Sequence, residues 1–94
     1  MLAAFFMVKV MSPKKLEKLF TQGHYTEIVQ ILGEVKKRSL LEDNALAGAY
    51  IKLKNPEKAK TILEGLIKKN AQNQHTLNNL ATIYKDQQDL GLAE

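Results

Sequence analysis

Histidines, serines and neighbouring carboxylates are what this 94-residue, cysteine-free chain has for building a catalytic or metal site. Its two histidines, His24 and His75, fall at a turn and at a helix start. Neither has a second histidine or a carboxylate at ligand spacing on its own helix, so each reads as a solvated surface side chain. Ser12 and Ser39 are the only serines, and both stand where a helix begins, so N-capping accounts for them without a nucleophile. Glu42-Asp43 lies in the first turn of a helix, where the positive helix end already favours acids. No glycine-rich loop joins a strand to a helix, so a phosphate cradle is missing. The lack of cysteine excludes a disulfide framework, a thiolate zinc site, an iron–sulfur cluster and a Cys nucleophile. It also suits a reducing compartment, and we expect a cytoplasmic protein. The chain predicts no catalytic residue, no metal site and no cofactor, and is not read as an enzyme.

The remaining chemistry is cationic. Fourteen Lys/Arg against ten Asp/Glu give a net charge of +4. Lys36-Lys37-Arg38 and Lys68-Lys69 are read at the C-terminal ends of helices, where cations complement the negative end by ~0.3–1 kcal/mol each. A nucleic-acid surface would also need stacking aromatics. Of six aromatics, Phe5 and Phe6 lie in the N-terminal stretch and Phe20, Tyr50 and Tyr84 are expected in the core, leaving Tyr25 alone. Nucleic acid is therefore not the expected partner.

Helices must position these groups. Apolar content of 45% with 26% charged residues describes a packed, soluble chain, and 94 residues suffice for one small domain. Residues 1–11 are apolar except for Lys9. They lack the basic start and the small-x-small ending of a secretory signal, and no run reaches the ~18–20 residues of a transmembrane span. This stretch reads as a tail packed on a neighbouring helix or as an upstream start, with Met7 and Met11 as alternative initiators; left exposed, it would drive self-association. Ser12-Pro13 opens the first helix, with Leu16, Leu19 and Phe20 at helical spacing until Gln22-Gly23. A second helix is predicted from about Tyr25 to Lys37. Ser39 and Glu42 form a capping box that opens a third, to about Leu53. Asn55-Pro56-Glu57 starts a fourth, Asn73 caps a fifth, and Asp89 is expected to cap a sixth.

The sequence repeats itself. A shift of 34 places Ser39 on Asn73, Leu46 on Leu80, Ala47 on Ala81, Tyr50 on Tyr84, Asn55 on Asp89 and Ala59 on Ala93. Each period holds two helices, with small residues where they approach and larger ones filling the gap. Leu46-Ala47-x-x-Tyr50 with Ala59 and Leu63, and again Leu80-Ala81-x-x-Tyr84 with Ala93, resembles the tetratricopeptide repeat. The family's early Trp is replaced by Asp43 and Leu77, its Gly by Ala47 and Ala81, and its closing Pro by Ala71. Gly23-x-Tyr25-x-Glu27-Ile28 resembles the family's turn, although Ile28 precedes Ala59 by only 31 residues. The expected fold is all-α, an antiparallel helix-pair solenoid. Its domain spans 12–94, with a degenerate repeat at 12–38, a full one at 39–72 and a truncated one from 73. Few residues follow Asp89, so Leu77, Leu80 and Tyr84 would lack a covering helix. Either the chain is a fragment of a longer protein or a second copy covers this face.

The resemblance implies a concave groove lined by the first helix of each pair, taking a peptide or a partner helix. Leu41, Asn44, Gly48, Ile51 and Lys52 face it from the third helix, and His75, Asn78, Thr82, Lys85 and Asp86 are their counterparts 34 residues later. Asn44 and Asn78 in one column would hydrogen-bond a peptide backbone, Lys52 and Lys85 would add polar anchoring, and Leu41 and Ile51 would bury partner side chains. Gly48 either admits a close helix or opens space in the groove. The expected function is a protein–protein interaction module of scaffold or co-chaperone type. An RNA-binding repeat of the pentatricopeptide kind is the alternative, although its usual period is one residue longer than 34.

Overall fold

Local signals set the helix starts. The computed structural model describes residues 12–89, all five of whose regular elements are helices: α1 (Pro13–Thr21), α2 (Tyr25–Leu32), α3 (Leu40–Lys52), α4 (Pro56–Lys68) and α5 (Gln74–Asp89). The Ser12 hydroxyl accepts the Lys15 amide at 3.1 Å and Pro13 occupies the first turn of α1. At α3 the capping box closes both ways: Ser39 Oγ accepts from the Glu42 amide, and Glu42 Oε1 accepts from the Ser39 amide at 2.8 Å. Asn73 Oδ1 accepts the Thr76 amide at 3.1 Å and starts α5.

Three helices end in one way. After α1, the amide of Gly23 reaches the Phe20 carbonyl and that of His24 the Leu19 carbonyl. After α3, Lys54 reaches Ile51 and Asn55 reaches Tyr50; after α4, Asn70 reaches Ile67 and Ala71 reaches Leu66. This Schellman arrangement needs a left-handed residue, and φ is +81° at Gly23, +65° at Lys54 and +56° at Asn70. The turns at Gly23 and Lys54 thus match bond for bond, 31 residues apart. Asn55 corrects an expectation: its side chain makes no cap bond to α4, its backbone (φ −125°, ψ 67°) departing from the extended conformation of the capping residues Ser12 and Ser39.

The end of α2 departs most from expectation. This helix stops at Leu32 rather than Lys37, so Lys36-Lys37-Arg38 is not a helical end. Gly33 is a poor helix former, and Val35 turns inward to pack on the first core cluster. Arg38 then folds back, donating from Nη1 to the carbonyls of Leu32 at 3.2 Å and Val35 at 2.9 Å. Its Nε meets Asp43 Oδ1 at 2.6 Å. The cation does neutralise a helix end, but from six residues beyond it.

Two apolar clusters hold the stack together. Leu16, Leu19, Ile28, Leu32, Leu46 and Ala49 form the first, and Ala47, Ala59, Leu63, Leu80 and Ile83 the second. Helix α3 contributes to both and packs against all four others, while α1–α3 and α3–α5 also touch directly. Fully buried Ala47, Ala49 and Ala59 permit that close approach. Leu46 and Leu80 are each buried in a cluster with residues of the preceding helix: Leu46 with Ile28 and Leu32, Leu80 with Ala59 and Leu63. Tyr50 and Tyr84 do not match. Tyr50 is half-buried between the clusters, whereas Tyr84 is 51% exposed and outside the core. Leu77 is likewise 49% exposed. The expected cap at Asp89 is also corrected, since α5 runs through that residue. The sixth helix and the apolar stretch 1–11 lie outside the described residues. Among the described residues no helix is long and apolar enough to cross a membrane.

Candidate functional site

Alternate helices share one face. Along it α1, α3 and α5 enclose a groove of about 560 Å³. Its apolar lining is Leu16 and Phe20 from α1 with Leu41, Ala45 and Gly48 from α3; Lys14, Glu17, His75 and Asn78 stand among them as polar groups. Pro13, Leu41 and His75 each lie within two residues of a helix start, so one end of the groove opens at three helix N-termini.

Gly48 decides how closely α1 approaches. A Cβ there would stand 2.9 Å from Phe20 Cε2 and 3.0 Å from Cζ, so the ring covers the glycine and forms one wall. Phe20 is held in turn by an edge-on contact with Tyr25, with ring centroids 5.2 Å apart. Packing and groove shape are therefore the same fact at Gly48.

Five of the ten residues expected on this face do line it: Leu41, Asn44, Gly48, His75 and Asn78. Ile51, Lys52, Thr82, Lys85 and Asp86 do not. Ile51 packs against the second core cluster, the Thr82 hydroxyl is spent on the Asn78 carbonyl at 2.9 Å, and Lys52, Lys85 and Asp86 are exposed. The two asparagines also part company. Asn44 is only 6% exposed, and its Nδ2 donates to the Leu40 carbonyl at 3.1 Å and to Asn73 Oδ1 at 3.4 Å. Its Oδ1 has no hydrogen-bond partner. Asn78 is exposed and accepts from Gln74 Nε2 at 3.0 Å. Asn44 is a floor residue tying α3 to the start of α5, not a free amide facing a ligand.

Sequence reasoning missed the α1 wall (Lys14, Leu16, Glu17, Phe20) and Asn79, whose Nδ2 donates to the Asn44 carbonyl at 3.2 Å. The shift of 34 has no counterpart in the short first repeat, so it could not carry the groove back onto α1. The available signal was the 31-residue offset between Ile28 and Ala59, which sets Glu17 on Gly48 and so brings α1 into register. His24 and His75 are both exposed, and among the described residues no group of three His, Asp or Glu side chains could hold a metal ion. No protein-family model, no curated protein and no solved structure matches the chain.

Proposed function

We propose that this chain is a protein-interaction module of the tetratricopeptide-repeat kind, which holds a segment of a partner protein in the α1–α3–α5 groove and does no chemistry. One observation carries the reading: Leu16 and Phe20 on α1 with Leu41, Ala45 and Gly48 on α3 give the groove an apolar lining, flanked by Lys14, Glu17, His75 and Asn78. Leu41 is 47% exposed there, an arrangement suited to an amphipathic guest. Support for the repeat comes from the paired turns at Gly23 and Lys54, the burial of Leu46 and Leu80 each with residues of the preceding helix, and the direct contact of alternate helices. Anchoring falls to Leu41, Phe20, Glu17, His75 and Asn78, while Ile51, Lys52, Thr82 and Lys85 take no part in it.

The test is selection from a random peptide library on the full chain, followed by anisotropy titration of the enriched peptides. Leu41→Asp, at an exposed position, should leave helicity intact and weaken those peptides about tenfold or more, ~1.4 kcal/mol. Peptides that bind the variant equally well would sink the proposal. So would a chain that takes no peptide but binds oligouridine, with an affinity that falls steeply with salt.

A further inference from the structure

The groove has a candidate occupant in the chain itself. We propose that residues 1–11 dock in the α1–α3–α5 groove as an internal ligand that a partner must displace; this rests on the reading of the groove as a segment-binding site. Every residue from Met1 to Met11 except Lys9 is apolar, a composition that matches a groove lined by Leu16, Phe20, Leu41, Ala45 and Gly48. The point of attachment favours it. Ser12 is extended (φ −72°, ψ 155°), so the chain ahead of Pro13 does not continue α1, and Pro13 and Lys14 already line the groove's edge. Neighbouring helix axes lie ~8–10 Å apart, so crossing from α1 over α3 to α5 takes roughly 20 Å, about six extended residues. Eleven are available. Lys9 is the one charged side chain in the stretch, and the groove's lining carries one carboxylate, Glu17, that could meet it, with the cation Lys14 at the edge beside Pro13.

A ligand tethered at the groove's own edge acts at an effective concentration in the millimolar range, so it lowers the apparent affinity for any free segment. The partner such a groove accepts is then an apolar segment rich in aromatic and aliphatic side chains, bearing one cation near the end that meets Glu17.

The absence of native cysteine makes disulfide trapping a clean test. In the full chain, Ala4→Cys is paired in turn with Leu41→Cys and Asn78→Cys in the groove, and with Leu53→Cys at the far end of α3. Leu53 lies twelve residues from Leu41, ~18 Å along the helix, and within the extended reach of residue 4. Under a glutathione redox buffer, the groove pairs should close within one chain at least about tenfold faster than the Leu53 pair. Equal rates overturn the proposal. A bond forming only between two chains, at a rate rising with concentration, overturns it in favour of a second copy's N-terminal stretch. In full chains without added cysteine, Phe5→Ser with Phe6→Ser should raise the affinity for library-selected peptides about tenfold; unchanged affinity also overturns it. If the groove pairs close but no peptide is ever selected, the interaction-module reading falls and the internal docking stands.

Discussion

Arg38→Met tests the least local interaction in the molecule. The guanidinium makes three hydrogen bonds, to Asp43, Leu32 and Val35, and the Arg38 and Asp43 side chains are 22% and 16% exposed. Fully exposed pairs contribute ~0–1 kcal/mol, and breaking a fully buried pair costs ~3–5 kcal/mol. At this intermediate burial, with the carbonyls of Leu32 and Val35 also losing the guanidinium donor, we expect a loss of ~2–3 kcal/mol. For a domain of this size that lowers Tm by roughly 10–20 °C. Methionine keeps the aliphatic stem, so the loss reports on the guanidinium rather than on packing. Arg38→Lys keeps the charge but not the planar fork, and should recover no more than about half. A double-mutant cycle with Asp43→Asn separates the ion pair from the carbonyl contacts. The assay is urea unfolding followed by far-UV circular dichroism at low and high salt, and the pair's part should be screened only weakly. A loss below ~0.5 kcal/mol, or a lysine variant as stable as the parent chain, would refute the claim that Arg38 closes α2.

Other outcomes follow from the same geometry. Lys54→Gly relieves a left-handed residue and should stabilise the chain by ~1 kcal/mol, whereas Gly23→Ala, with open space around the new methyl, should cost ~1–2 kcal/mol through φ alone. Thermal melts of the two check that the turns are equivalent. Ile83→Ala, fully buried, should cost ~2–5 kcal/mol, while Tyr84→Ala beside it should cost less than ~1 kcal/mol. Equal losses would mean that α5 buries a different face. Gly48→Ala gains ~1 kcal/mol of helix propensity but must push the Phe20 ring aside, so stability should change by no more than ~1 kcal/mol. Shifted Phe20 ring resonances and weaker peptide binding are the readouts.

Much of the fold was legible because its signals act over three or four residues. Ser12-Pro13, the Ser39/Glu42 box and Asn73 each place an oxygen one turn ahead of an amide, a relation that the chain carries into any helix. Leu46 and Leu80 were legible as buried positions too, each falling in a cluster with residues of the helix before it. The failures share one cause. Lys36-Lys37-Arg38 looks like a helix end by composition, yet Val35's burial and Arg38's reach to Asp43 end α2 five residues earlier. Asn44 and Asn78 share a register position, but only Asn44 lies beneath α5, where it is buried, its Nδ2 donates to Asn73 Oδ1 and its Oδ1 has no partner. Tyr84 repeats Tyr50 in sequence, yet it is 51% exposed where Tyr50 is half-buried between two clusters. The amino-acid sequence thus determined the helices, their caps and their apolar stripes, which depend on neighbours along the chain. Only the packing of α1 and α5 onto α3 decided which side chains form the groove, since burial of a polar group depends on contacts between residues some thirty positions apart.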